Sequence, residues 1–166
     1  MSRRARIASG PVIFALLGAL LVGCASSAGA RGRNVTGGLV LEVYVQPGDG
    51  SFARYRVETD GRLRFGGGQD AIDRRFTWSG PMTEEEIGRL TALIDEHRWL
   101  ETSPPSTGEP AVREIEVKLR KGGTRRSFTV IGESEAVTRV LEVLETAALR
   151  RHDEFLRRLP QPGEQH

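Results

Sequence analysis

In residues 39–46, "LVLEVYVQ", every second side chain is aliphatic, with Glu42, Tyr44 and Gln46 between them, and this alternation constrains the fold more than any other feature of the chain. Leu39, Leu41, Val43 and Val45 fall on one side. A period of two indicates a β-strand that is buried on one face and open to solvent on the other. Such a strand needs neighbouring strands and a cover over its apolar face, which already favours a layered fold.

A second alternating segment, "FARYRVE", follows the turn sequence "PGDGS", and "GRLRF" continues it after Asp60. A two-residue turn would place Arg64 on the apolar side. A three-residue loop, 59–61, with Gly61 in the left-handed region, instead pairs Val57 with Leu63 and Tyr55 with Phe65. The side-chain period therefore predicts the three-residue loop.

"GGGQD" ends the third strand, and it reads as a turn because no apolar helix follows that could make it a phosphate-binding loop. Residues 71–80, "AIDRRFTWSG", are predicted as a fourth strand. In that strand Ile72, Phe76 and Trp78 would share one face.

The period then changes to that of a helix. Thr83 as N-cap and Glu86 three residues later form a capping box, and the apolar stripe of this helix is Ile87, Leu90, Leu93, Ile94 and His97.

Two more strands, 112–120 and 125–132, flank Gly122-Gly123, and a two-residue turn there pairs Val117 with Phe128. A long helix over 133–159 closes the chain, with its inward residues predicted as Val137, Val140, Leu141, Leu144, Ala148 and Phe155. The order β-β-β-β-α-β-β-α predicts the α+β class: an antiparallel sheet with two helices packed on one face.

The N-terminus carries a separate signal. Three arginines precede an apolar run, 12–22, which is too short to span a bilayer and which ends in Leu21-Val22-Gly23-Cys24. This arrangement resembles the lipobox signal peptide of bacterial lipoproteins. The resemblance implies that residues 1–23 are removed and that Cys24 is diacylated and N-acylated, with palmitate a typical chain. Ala25 after the cysteine, where some lipoproteins carry aspartate, implies the outer membrane, facing the periplasm.

Processing also changes the charge of the chain. Removing the three arginines of residues 1–23 from the 24 basic residues leaves 21, against 22 acidic ones, so the mature chain has a net charge of −1. The pI near 9.1 therefore does not support binding to nucleic acid. Because Cys24 is the only cysteine, the mature domain forms no internal disulfide.

Four segments are expected: the signal peptide (1–23), the lipidated cysteine with a flexible tether (24–38), one α+β domain (39–159) and a disordered tail (160–166). Within the domain, the run from Tyr55 to Gly61 followed by the acidic-capped helix from Thr83 to Trp99 resembles small uncharacterised domains of bacterial secreted and lipid-anchored proteins. That resemblance implies no activity.

Catalytic signatures are scarce, and the sequence predicts no catalytic residue, metal site or cofactor. His97 and His152 fall near the ends of two predicted helices, where the helix dipole alone favours histidine, and His166 lies in the tail. Glu84, Glu85 and Glu86 fit the first turn of a helix.

Two surfaces are candidates for contact with partners. On the outward face of the early strands we expect Tyr44, Arg54, Arg56, Arg62 and Arg64 to bind an acidic envelope protein; the alternative is a solvated sheet face with weak ion pairs. The second surface is "RRHDEFLRR" in the last helix, where dipole complementarity competes with contact to anionic lipid headgroups.

The sequence thus predicts a lipid-anchored envelope protein with a non-catalytic binding or scaffolding domain. An envelope hydrolase whose site forms only in three dimensions, and a protein inhibitor acting through the loop "ETSPPSTGEP", are the alternatives. The oligomeric state is left open.

Overall fold

The computed structural model describes residues 36–48, 51–106 and 113–158. These residues confirm the α+β class, with an antiparallel sheet and helices. The elements in chain order are β1 (Val40–Pro47), β2 (Ala53–Val57), β3 (Arg62–Gly67), α1 (Gln69–Ile72), β4 (Trp78–Pro81), α2 (Glu84–Glu96), β5 (Arg113–Lys121), β6 (Thr124–Ile131) and α3 (Glu135–Arg158).

The sheet has the strand order β4-β3-β2-β1-β5-β6, and each neighbouring pair is antiparallel. β1 therefore lies in the middle and joins two hairpin units, β2–β3–β4 on one side and β5–β6 on the other.

Both hairpin registers predicted from the side-chain period are confirmed. Val57 pairs with Leu63 and Tyr55 with Phe65, and the backbone of Gly61 has a φ of 79° in the loop between them. A side chain is rarely tolerated at that φ, so glycine makes the three-residue loop possible. In β5–β6, Val117 pairs with Phe128 around the Gly122-Gly123 turn.

Helices α2 and α3 cover one face of the sheet and share a single core with it. The capping box at Thr83 and Glu86 is present in α2, and four of the five residues predicted for its stripe are buried; His97 is only partly buried. Trp99, just beyond α2, is fully buried and packs edge-on against Phe128 of β6. The apolar face of β1 is buried beneath these helices.

The prediction for residues 71–80 is wrong in part. Residues 69–72 form the short helix α1, and β4 contains only residues 78–81. The side chain of Ile72 is 45% exposed. Phe76 lies on the face of the sheet that points away from α2 and α3, against Arg54. The chain turns at Gly68, whose φ is 57°, and the segment 73–77 then crosses the outside of the sheet before β4 pairs with β3.

The inward position predicted for Phe155 is also wrong, since its side chain is 61% exposed. The buried face of α3 ends at Ala148. Beyond it, Arg151 packs on the ring of Phe65 and Glu154 accepts a hydrogen bond from the indole of Trp78, so polar contacts hold the last turns.

Thr36, which falls in the predicted tether, is buried, and its hydroxyl donates to the carbonyl oxygens of Leu39 and Thr59. The packed chain therefore begins at least three residues before Leu39. The signal peptide, Cys24 and the tail after residue 159 lie outside the described residues, as does most of the predicted tether.

Candidate functional site

The face of the sheet that α2 and α3 leave uncovered is the candidate site, and we call it the outer face. Alternate residues of the strands form it. Across the middle of the sheet, Arg64, Arg56, Glu42, Lys118 and Ser127 follow one another from β3 to β6 in register.

The residues predicted to contact a partner lie together on the β1–β3 half of this face. Arg56 is opposite Glu42 on one side and Arg64 on the other, as the registers predicted. Tyr44 is opposite Arg54. Arg62 begins β3 beside Glu58, whose backbone N–H donates to the Arg62 carbonyl at 2.9 Å.

Much of the positive charge of this half is compensated within the protein. Arg54 binds the Glu42 carboxylate through Nε at 3.2 Å and Nη2 at 2.7 Å. Glu58 lies 3.5 Å from Arg64 and 3.8 Å from Arg56. The side chain of Arg54 is only 15% exposed, so Arg54 mainly stabilises the fold and offers little surface to a partner.

An aromatic cover over these arginines was missed by the sequence reasoning. The ring of Phe76 lies 4.6 Å from the guanidinium carbon of Arg54 and 4.8 Å from that of Arg64. Arg54 also donates to the carbonyl of Arg74, which has a φ of 58°. Segment 73–77 thus occupies part of the plane on which a partner was expected to dock.

The backbone approach that brings segment 73–77 so close depends on Gly66. A Cβ at this position would lie 2.1 Å from the carbonyl oxygen of Arg75. The three consecutive glycines of "GGGQD" could have indicated this contact from the sequence, because glycine in a strand often marks a place where another backbone approaches closely.

The ring of Tyr44 is also engaged, stacked on Phe52 at 6.3 Å between ring centroids. Its side chain is half-buried. Of the five predicted contact residues, only Arg56, Arg62 and Arg64 therefore offer a substantial part of their charged side chain to solvent.

The least compensated positive charge lies on the other half of the outer face. A groove of about 370 Å³ runs between β1 and the β5–β6 hairpin. We call it the basic groove and define it by six lining residues: Val40, Arg56, Lys118, Arg120, Arg125 and Arg126. Glu42 contributes a carboxylate, and Leu119 and Ser127 complete the lining.

Two groups with shifted pKa values lie away from the outer face. Burial, together with the charge of Glu145, raises the pKa of Tyr55 to about 12, so this hydroxyl stays protonated. Burial alone would raise the pKa of Glu86, but hydrogen bonds from Arg150 and from Thr83 outweigh it and hold the pKa below its usual range. Both groups lie on the side of the sheet that packs against the helices.

The described part of the chain contains no group of three His, Cys, Asp or Glu residues that could hold a metal ion. His97 is partly buried, His152 is exposed, and His166 lies outside the described residues. Within the same residues, no helix is long and apolar enough to cross a membrane.

The start of the loop "ETSPPSTGEP", between α2 and β5, lies beside β6. Ser103 accepts a hydrogen bond from Arg126, and the Ser106 hydroxyl pairs with the backbone of Ile131. Up to Ser106 the loop therefore lies against the edge strand and does not protrude from the domain.

Comparison with known proteins adds no family. No protein-family model matches the chain, and no curated protein is significantly similar to it.

Proposed function

We propose that this chain is a lipid-anchored protein of the bacterial cell envelope whose domain binds an acidic protein partner through its outer face. Cys24 provides the anchor in the outer membrane, on the periplasmic side. The domain acts by binding or scaffolding and catalyses no reaction.

The observation that carries this proposal is the asymmetry of the sheet. One face is packed under α2 and α3, whereas neither of these helices covers the other face, which carries a basic groove. The basic groove places Arg56, Lys118, Arg120 and Arg125 on the outer face of a mature chain whose net charge is −1, which favours an acidic partner over a general attraction to anions.

The interface would be of the planar kind. Arginine and tyrosine are enriched in protein interfaces, and Arg56 and Arg64, whose side chains are 40% and 43% exposed, can still form forked contacts to carboxylates. Segment 73–77 covers only part of the outer face. The rest of the face, including the shallow basic groove, remains open to contact with a partner.

Site-specific photocrosslinking in intact cells tests this proposal. A photoreactive side chain replaces Ser127 on the outer face or, as a control, Thr138 on the exposed side of α3. We expect an adduct with an acidic envelope protein from position 127 only, and a weaker one when Arg56→Gln and Arg64→Gln are combined.

The adduct should also decrease when the salt concentration rises, because exposed charge pairs are screened. Identical adducts from positions 127 and 138 would contradict the proposal. So would a partner whose capture is unaffected by both arginine substitutions.

A further inference from the structure

The strongest unexplained feature of the outer face is a pair of like charges. Arg120 of β5 lies directly opposite Arg125 of β6 across the hairpin. Within the described residues, neither guanidinium forms an ion pair or a side-chain hydrogen bond, and both side chains are exposed. Like charges at directly opposed positions destabilise a sheet, so an anion placed between them would relieve this repulsion.

Other polar groups in the basic groove are also only weakly paired within the protein. Lys118 is 60% exposed, and its only ion pair among the described residues is a 3.9 Å contact with Glu116, while Glu42 lies opposite it on β1. The Nε of Arg56 is buried without a hydrogen-bond partner, and the Glu58 carboxylate, at 3.8 Å, is too far away to accept from it. The groove thus combines a repelled arginine pair with a lysine and an unsatisfied donor.

The spacing of these cations indicates the shape of the anion. Lys118 and Arg120 are two residues apart on the same face of β5, which separates them by about 6.8 Å along the strand. Side chains at positions i and i+2 of an extended peptide have the same separation. An extended chain lying along β5 can therefore place one acidic side chain on Lys118 and the next on the Arg120–Arg125 pair.

Carboxylates on the outer face favour such a peptide over a membrane surface. Glu42 lines the groove itself, and Glu116 is the neighbour of Lys118. A continuous anionic bilayer would face these carboxylates as well as the cations. A peptide with acidic residues at alternate positions can avoid them.

We infer that the basic groove binds an extended acidic segment of a partner protein, with carboxylates at alternate positions that contact Lys118 and the Arg120–Arg125 pair. This inference rests on the proposed function, since it names the site and the chemistry by which the acidic partner is recognised.

Peptide binding to the full-length protein, purified in a nonionic detergent, tests the inference. One probe is a fluorescent octapeptide of alternating glutamate and serine, and a second has the same composition with four glutamates in a block. The test variant combines Arg120→Gln with Arg125→Gln. The control combines Arg89→Gln with Arg158→Gln, which removes two exposed positive charges from the helices.

We expect the alternating peptide to bind more tightly than the block peptide, and the test variant to weaken its binding at least about fivefold. The control should leave it within about twofold. Because the substitutions remove a like-charged pair, the urea midpoint of the test variant should not fall below that of the unaltered protein, so lost binding would not reflect unfolding.

Equal binding of the two peptides, equal loss in both variants, or no binding of either peptide would overturn the inference. Reconstitution in nanodiscs adds the membrane as an outcome: if phosphatidylglycerol in the disc displaces the alternating peptide, the groove binds lipid headgroups and the inference is wrong. None of these results decides whether a partner is crosslinked from position 127 in cells, so the proposed function is judged separately.

Discussion

Arg54 and Arg62 lie on the same face of the sheet but have different environments. Arg54 binds Glu42 and the Arg74 carbonyl and stacks against Phe76. The side chain of Arg62, by contrast, is exposed, and its one hydrogen bond among the described residues is donated to Ser79 at 3.3 Å. Substitution of these two arginines should therefore have different effects on stability.

We predict that Arg54→Ser lowers the free energy of unfolding by about 1–3 kcal/mol, because it removes charge-assisted hydrogen bonds from a mostly buried side chain. Arg62→Ser should change it by no more than about 0.5 kcal/mol. Urea unfolding followed by tryptophan fluorescence measures both. Equal effects of the two substitutions would show that Arg54 is not a structural residue.

At the scale of elements, the start of α2 is tied to α3 by one ion pair. Arg150 contacts both carboxylate oxygens of Glu86, at 2.8 and 2.9 Å, and Glu86 also accepts from the Thr83 backbone at 2.7 Å. The same carboxylate thus completes the capping box and joins the two helices.

Because the folded state lowers the pKa of Glu86, this carboxylate stabilises the fold above its unfolded-state pKa of about 4.3. That stability is lost as the pH falls through the lower folded-state pKa. We therefore predict that Arg150→Gln destabilises the protein near neutral pH, and that the part of the difference due to Glu86 vanishes once the pH has fallen below the folded-state pKa of Glu86. Urea midpoints measured across this range check it.

Arg139→Gln is the control, since Arg139 makes a 3.6 Å pair with Glu96 in which both side chains are substantially exposed. Such pairs contribute little. A difference for Arg150→Gln that stays constant down to the acid transition would contradict the role of Glu86.

Segment 73–77 can approach β3 closely because Gly66 has no side chain. We predict that Gly66→Ala destabilises the protein by about 1–3 kcal/mol, because the added Cβ would overlap the carbonyl oxygen of Arg75. Gly88→Ala on the exposed side of α2 meets no atom within 4 Å and should instead stabilise by about 0.5–1 kcal/mol. Denaturation of the two variants side by side checks the opposite signs, and a stabilising Gly66→Ala would refute the close approach.

These elements also show how far the sequence could predict the structure. The two hairpins could be aligned because a shift of one residue moves every side chain to the wrong face, so the period selects one register. Segment 69–77 has no such constraint. Its α1 turn and the crossing of Phe76 depend on contacts with β2 and β3, which are distant in sequence.

The same limit applies to the candidate site. The register correctly placed Tyr44, Arg54, Arg56 and Arg64 on one face. It could not show that Glu42 binds Arg54 tightly, or that Arg120 and Arg125 have no acidic partner in the part of the chain that the structure describes. These differences depend on side-chain directions and on segment 73–77, which strand periodicity does not determine.

For the whole molecule, the two edges of the sheet are protected in different ways. β4 is short and ends at Pro81, and β6 is flanked by a segment containing Pro104 and Pro105 that bonds to it through Ser103 and Ser106. Proline and short length both discourage pairing with strands of other molecules. The outer face is therefore a better candidate for contact with a partner than either edge.

The proposed position of this face in the cell depends on Cys24. A single acyl chain binds membranes only marginally, whereas two or three chains hold a protein stably. We predict that intact-mass analysis of the membrane fraction shows a chain that begins at residue 24 and carries added acyl mass, and that Cys24→Ser removes the mature protein from that fraction. Thr36, which is bonded to the domain, is only twelve residues after the cysteine, so the anchor would keep the outer face within reach of proteins close to the same membrane. A chain that retains residues 1–23, or one with a free Cys24 thiol in the soluble fraction, would exclude the anchor, and the acidic partner would then have to be sought among soluble proteins.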